Sequence, residues 1–309
     1  MESKVKVLHL WGTQGQPSLV SPESIALCWM VNDSMFDSPV EVVFSNNTDL
    51  SPTGELPLLI EEDGKKSTGV YTIVERLAGG SDRDAESSLL CDALLQFAAD
   101  ELKKCTMYQL FLNTVNYNEY TSKVYSYLLH WPFWYNTPLN GKACAQKLCQ
   151  DMAISIPDDD DDLDSGAKGS QNSHQDKAIE MAQSQVFKVA RDNKKQQKKR
   201  LQDLKNNSRV ISNLTQILTH WTTARPAVDA KLIPADLLLA AHLKVQMDLP
   251  QGDIVNTHLL NNFPTLYSTV KEIQQRNSDL QIPNIRDPSF TESGNVVMST
   301  FNLIKTYTP

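Results

Sequence analysis

The sequence predicts a mostly helical α+β chain in two parts, a small sheet with two helices at the front and an all-helical remainder. Three observations predict it. Short Val-, Leu- and Ile-rich runs bounded by Gly or Pro fall in the first eighty residues. From Asp82 onward apolar residues recur at spacings of three and four. One segment of charge and small polar residues interrupts that second pattern.

The elements follow in chain order. Val5 to Trp11 is a short apolar run closed by Gly12, the mark of a buried strand. Ser21-Pro22-Glu23-Ser24 opens a helix. Ser21 can cap it, Pro22 suits its first turn, and Ile25, Cys28 and Trp29 give a buried stripe. Val40 to Phe44 is a second strand and Leu56 to Ile60 a third. Asp63-Gly64 then turns a hairpin into Lys66-Ser67-Thr68. Val70 to Leu77 reads as a helix ended by Gly79. The order β-α-β followed by β-β-α is thioredoxin-like. Pro57 opens the third strand, where a residue without an N–H needs an end position or a cis bond.

The second part begins with Leu89, Leu90, Ala93, Leu94, Phe97 and Leu102 at helical spacing, and Tyr117 to Leu129 continues it toward Pro132. Val210, Ile211, Leu214, Ile217, Leu218 and Trp221 form a further stripe, and Ala235 to Val245 is apolar nearly all round, as in a central buried helix. Asp158 to Asp162 are consecutive aspartates, followed by a Gly/Ser/Asn-rich stretch. Residues 157–175 cannot bury enough apolar area to offset ordering entropy and are expected to be a disordered acidic linker. A basic helix over 176–205 follows, carrying Lys194, Lys195, Lys198, Lys199 and Arg200. The expected organisation is thus a thioredoxin-like unit over 1–80 and a helical unit over 84–309.

Composition narrows the function classes. The chain has 309 residues, a formal net charge of −8 and a pI near 5.3. That balance argues against general nucleic-acid binding, which needs clustered Lys and Arg. The cysteines, Cys28, Cys91, Cys105, Cys144 and Cys149, are odd in number, and no CxxC or nearby His suggests zinc. Reduced thiols in a cytosol-facing protein fit best, with the sequons at Asn46, Asn206 and Asn213 unused. Met1 to Lys6 has neither a secretory h-region nor an Arg-rich presequence. The most apolar stretch, Leu232 to Met247, contains Asp236, His242 and Lys244, so no membrane span is expected.

Particular motifs point further. Glu55-Leu56-Pro57-Leu58-Leu59 resembles the Leu-Pro turn before the third strand of glutathione transferases, where the proline is usually cis. Pro234-Ala235-Asp236-Leu237-Leu238-Leu239-Ala240-Ala241-His242-Leu243 resembles the start of that family's central C-terminal helix. The usual Ser or Thr cap is replaced by Ile233, leaving Asp236 to act on the helix N-terminus alone. Narrower matches run from end to end. Trp11-Gly12 with Pro17-Ser18-Leu19-Val20-Ser21-Pro22-Glu23-Ser24 resembles the metaxin entry into the first helix. Phe44-Ser45-Asn46-Asn47-Thr48-Asp49-Leu50-Ser51, Tyr108-Gln109-Leu110-Phe111-Leu112-Asn113-Thr114, Asn116-Tyr117-Asn118-Glu119-Tyr120-Thr121, Trp134-Tyr135-Asn136-Thr137-Pro138-Leu139 and Gly294-Asn295-Val296-Val297-Met298-Ser299 are similar to the fungal metaxin-like subunit of the mitochondrial sorting and assembly machinery.

That resemblance implies a peripheral subunit on the cytosolic face of the mitochondrial outer membrane. Its partners would be a β-barrel core subunit and a second metaxin-like subunit, with β-barrel precursors handled indirectly. A receptor of the import translocase would be a further contact. The membrane surface would be reached through partners.

Catalytic chemistry finds little support in the residues. A transferase needs a hydroxyl or thiol near the first strand–helix junction, where Ser18 and Ser21 sit, and Ser21 is better explained as a cap. It also needs an acidic-Ser pair after the hairpin, where the sequence reads Thr68-Gly69-Val70-Tyr71-Thr72. The six histidines have no metal-ligand spacing, and Gly12 and Gly15 complete no nucleotide motif. The aspartate run lacks spaced calcium ligands. No enzyme activity, cofactor or metal is expected. A diverged transferase-type enzyme and a cytosolic module docking translation enzymes are the alternatives. Two segments are candidate contact elements: Trp131, Phe133, Trp134 and Tyr135, which with Pro132 among them are not expected to be regular helix and either fill core or anchor a partner, and the basic cluster at Lys194 to Arg200, which is either a solvated helix end or a docking face.

Overall fold

β1 (Lys6–His9) takes the centre of a five-stranded sheet because its neighbours on both sides are apolar. β4 (Val40–Val43) pairs with it in parallel and β5 (Leu58–Ile60) antiparallel. The computed structural model describes residues 5–36, 38–78, 85–130, 133–154, 174–228 and 231–294. β6 (Lys66–Thr68) pairs antiparallel with β5 after the turn at Gly64, whose φ of 84° is the left-handed conformation that glycine adopts without strain. A small hairpin of β2 (Gly12–Thr13) and β3 (Gln16–Pro17) follows β1. Asn46 holds it by accepting the Gly12 N–H at 2.9 Å and donating to the Gly12 carbonyl at 2.8 Å.

α1 (Pro22–Asn32) starts as its sequence dictates. The Ser21 hydroxyl oxygen accepts the Ser24 N–H at 3.1 Å, and Pro22 occupies the first position. Nearly every side chain from Pro22 to Val31 is buried, because α1 is covered by the sheet on one side and by α9 (Pro234–Asp248) on the other. α2 (Val70–Leu77) buries Val70, Ile73, Val74 and Leu77, a stripe at helical spacing. The Leu56–Pro57 peptide is cis, and Pro57 stands immediately before β5, outside its ladder.

The helical part starts with α3 (Ala85–Phe97), which runs on through a π-turn at Ala98–Leu102, α4 (Lys103–Met107) and a second π-turn at Tyr108–Leu112. Asn113 stops this helix, and its side-chain oxygen accepts the Val115 and Asn116 N–H groups to start α5 (Thr114–Asn116). A third π-turn, Tyr117–Thr121, leads into α6 (Ser122–Leu128), which packs against α7 (Phe133–Leu148). Then come α8 (His174–Ala224), α9, α10 (Asp253–Asn262) and α11 (Pro264–Arg276). α9 is buried on all sides from Ala235 to Leu243. At about 1.5–3 kcal/mol per fully buried Leu, it is a main anchor joining the two parts into one core. A thioredoxin-like unit followed by helices around a central buried helix is the glutathione-transferase-like α+β arrangement.

Four expectations need correction. The stretch over 84–309 is not wholly helical. β7 (Ile285–Arg286) returns to the sheet and pairs in parallel with β4, giving the order β6-β5-β1-β4-β7. What fixes so short a strand is charge: Arg286 bonds Glu41 at 2.6 Å and both carboxylate oxygens of Glu292 at 2.6 Å. Second, the basic helix does not end at 205. α8 is continuous for 51 residues, about 77 Å at ~1.5 Å per residue, since no Pro or Gly interrupts the sequence between His174 and Ala224. Third, the expected linker is shorter at its end. His174 and Gln175 already belong to α8, and residues 157–173 lie outside those described. Fourth, Phe133, Trp134 and Tyr135 are helical: Pro132 precedes α7 in the sequence and does not interrupt it, although the helix carries a second proline, Pro138, in its interior.

Buried polar groups tie α8 to the rest. The Asn207 side-chain oxygen accepts from the Tyr108 hydroxyl at 2.9 Å and from the Asn113 amide at 3.3 Å. Beside it, Asn113 also donates to Gln251 at 2.8 Å, and Asn116 donates to Gln109 at 3.0 Å. Below them Val210, Leu214, Ile217, Leu218 and Trp221 are buried, the stripe that the sequence predicts.

Candidate functional site

The sheet unit meets the helices in a cleft of about 370 Å³. Trp11 follows β1, Phe111 comes from the second π-turn, and Tyr125 from α6. The Tyr125 ring stands edge-on to Trp11 at 5.6 Å and lies 6.3 Å from Phe111. Gly141 of α7 backs onto Phe111, and a Cβ there would stand 2.4 Å from the ring. α9 contributes His242, fully buried. The Gln246 amide donates to Thr106 Oγ1 at 3.0 Å, and the same hydroxyl is hydrogen-bonded to His242 Nδ1 at 2.9 Å. Its other ring nitrogen, Nε2, is buried and has no hydrogen-bond partner among the described residues. Burial pushes His242 down to about 4, although Glu23 opposes the shift.

At the rim, Lys103 Nζ lies 3.9 Å from Glu55. Glu23, the larger influence, and Glu55 hold its pKa above the ordinary lysine value against partial burial. A second hollow of about 260 Å³ opens beside it, walled by Glu23, Glu55, Pro57, Val70, Tyr71 and Lys103. This is where an acidic-Ser pair would be needed to hold glutathione. The N-terminus of α2 is capped there by Gly69, φ 83°, with no side-chain bond.

Cys144, a half-buried free thiol, lines the cleft, while other groups that could serve as nucleophiles are engaged or buried. Ser24 donates to Ser21 Oγ at 2.9 Å and accepts the Trp11 N–H at 3.2 Å, while Ser21 donates to Glu23 at 3.3 Å. Burial raises the Cys28 thiol far above its usual range and pushes Cys105 and Cys149 up to about 12. Among the described residues no group of three His, Cys, Asp or Glu could hold a metal ion.

Residues singled out from the sequence fall in separate places. Pro57 stands at the second hollow. Asp236 lies at the first turn of α9, where its carboxylate accepts the Ile233 N–H at 3.0 Å. It does more than act on the helix N-terminus: Arg225 grips both of its oxygens at 2.7 Å. Sequence reasoning missed this partner, which lies beyond the end of α8 and carries no periodic signal. It also missed Lys103 and the buried, unpartnered Nε2 of His242. Phe133 is half-buried, while Trp134 and Tyr135 are 38% and 58% exposed and meet edge-on at 6.0 Å. Trp131 lies outside the described residues. Lys194, Lys195, Lys198 and Lys199 are on the backbone of α8, their side chains outside the described set. Arg200 is exposed, followed by exposed Leu201 and Leu204.

Among the described residues no helix is long and apolar enough to cross a membrane. Two family models match the sequence. One, described as an outer mitochondrial membrane transport complex protein, matches residues 24–142. The other, described as the Tom37 C-terminal domain, matches residues 158–307. No curated protein matches the chain.

Proposed function

The chain belongs to the Tom37 family of outer mitochondrial membrane transport complex proteins, and from that premise we propose that it is a non-catalytic scaffold subunit of the machinery that folds, inserts and releases β-barrel proteins. It works on the cytosolic face, beside a β-barrel core subunit and a second metaxin-like subunit, and it links that machinery to the import translocase. The observation that carries the reading is the pair of family matches, which between them take in both the sheet unit and the helical unit.

The chemistry of the cleft supports scaffolding over catalysis. A transferase must present a hydroxyl or thiol that stabilises a thiolate. Here Ser21 and Ser24 are consumed in capping α1 and in fixing Trp11, and the buried thiols are held protonated. A fold of this kind does not by itself confer activity. α8 offers a long basic arm for a receptor with an acidic surface.

Native affinity isolation of the tagged chain from mitochondria, with partners identified by mass spectrometry, tests the reading. The expected result is co-recovery of the β-barrel core subunit and a second metaxin-like subunit. Recovery from mitochondria without either would overturn it. Calorimetry at millimolar glutathione separates the enzyme alternative: no saturable heat is expected, and a clear isotherm would reopen transferase chemistry.

A further inference from the structure

Between Glu119 and Asp151 the sequence holds no acidic residue, in a chain with 37 Asp and Glu among 309 residues and a net charge of −8. That interval includes α6 and α7. Its charges are Lys123, Lys142 and Lys147, all lysine, and His130 is its one histidine. The same interval presents large aromatic groups to solvent: Tyr127 is 87% exposed, with Trp134 and Tyr135 outward on the first turn of α7. Tyr135, Leu139, Ala143 and Lys147 follow at successive steps of four, one exposed stripe along α7. Lys142 lies 5.9 Å over the Tyr117 ring, beside this stripe. Tyr127, Trp134, Tyr135 and Leu139 line neither hollow of the cleft.

We infer that the outward faces of α6 and α7 rest directly on an anionic lipid surface, with Trp134 and Tyr135 seated at headgroup level and the lysines over the acidic headgroups. Trp and Tyr suit that depth because their rings are apolar and their N–H or O–H stays wet. Lysine stems can lie along apolar surface while the ammonium reaches the headgroups. The residue types favour lipid over protein: protein interfaces are enriched in Arg and depleted in Lys, and this interval has three lysines and no arginine. Glu119 and Asp151 mark where the acid-free interval stops. The inference rests on outer-membrane placement and not on which subunits accompany the chain.

Flotation of the purified full chain with phosphatidylcholine vesicles, with and without phosphatidylserine, tests it. The wild type is expected to float with the anionic vesicles, more weakly with neutral ones, and less as salt rises. Trp134→Ser with Tyr135→Ser should lower partitioning at least about tenfold. Lys123→Gln and Lys147→Gln should each lower it about fivefold on anionic vesicles only. Tyr135, Lys123 and Lys147 are largely exposed and Trp134 is 38% exposed, so circular dichroism should match wild type and the melting temperature should fall only slightly for the Trp134→Ser variant. No flotation of the wild type would overturn the inference. Flotation indifferent to Trp134 and Tyr135 would also overturn it, placing the contact elsewhere. So would variants that float normally yet lose partner subunits in native isolation, which would make this face a protein-docking surface.

Discussion

Replacing Asp236 with Ala should destabilise the chain by about 2–4 kcal/mol. The figure is built from what the carboxylate touches. It accepts the Ile233 N–H at 3.0 Å, a helix-start bond whose loss costs about 1 kcal/mol. It also neutralises Arg225 through two bonds of 2.7 Å, with the two side chains only 18% and 13% exposed. Removing it leaves a partly desolvated guanidinium, and breaking a fully buried pair costs about 3–5 kcal/mol, so partial exposure places this one lower. Asp236→Asn keeps an oxygen for Ile233 and should recover roughly the capping share, about 1 kcal/mol. Arg225→Met leaves the carboxylate on a helix N-terminus and should cost less than Asp236→Ala. Guanidinium unfolding at constant slope measures each variant, and the double mutant closes a cycle with an expected coupling of about 1–2 kcal/mol. A loss below about 0.5 kcal/mol for Asp236→Ala, or strict additivity in the cycle, would refute the reasoning.

Three further outcomes follow from the same geometry. Gly141→Ala puts a methyl carbon into the Phe111 ring and should cost about 1–3 kcal/mol by overpacking; the denaturant midpoint checks it. His242 titrates near 4 when folded and near 6.5 when free, so unfolding takes up a proton between those values. Stability is therefore full above pH 6.5 and falls toward pH 4, and His242→Phe should flatten that slope by about 1.4 kcal/mol per pH unit, read from midpoints against pH. Changing Lys194, Lys195, Lys198, Lys199 and Arg200 to Gln should leave the melting temperature nearly unchanged and weaken co-isolation with the import translocase at physiological salt; recovery at the wild-type level would reduce the cluster to a solvated helix face.

The legible parts of the fold were those with strong periodicity or explicit punctuation. Ser21-Pro22 announced α1, Asp63-Gly64 the hairpin, and the unbroken apolar run from Ala235 the central helix. Illegible parts depend on distant partners. Ile285 and Arg286 are too few to form a pattern, and their place in the sheet follows from Glu41, some 245 residues away. Three π-turns interrupt the helical stretch from Ala85 to Leu128 without any Gly or Pro to signal them. At the cleft, the sequence could name Ser21 as a cap and note the missing acidic-Ser pair. It could not show that Thr106 meets one ring nitrogen of His242 and leaves the other buried without a partner, because that follows from α4 and α9 meeting in space.

β7 bears on how this chain is made. It covers the edge of β4, and Asn32, Glu41 and Asn47 find partners in Asn277, Arg286 and Glu292, some 245 residues downstream. During synthesis the front of the molecule therefore waits, with an open apolar edge, until Ile285 and Arg286 have left the ribosome. Exposed strand edges recruit other strands, so the nascent chain is most prone to self-association in that interval. A truncation before residue 282 would make the interval permanent. Such a fragment should bind holdase chaperones or aggregate even though its α1 and β1 sequences are intact.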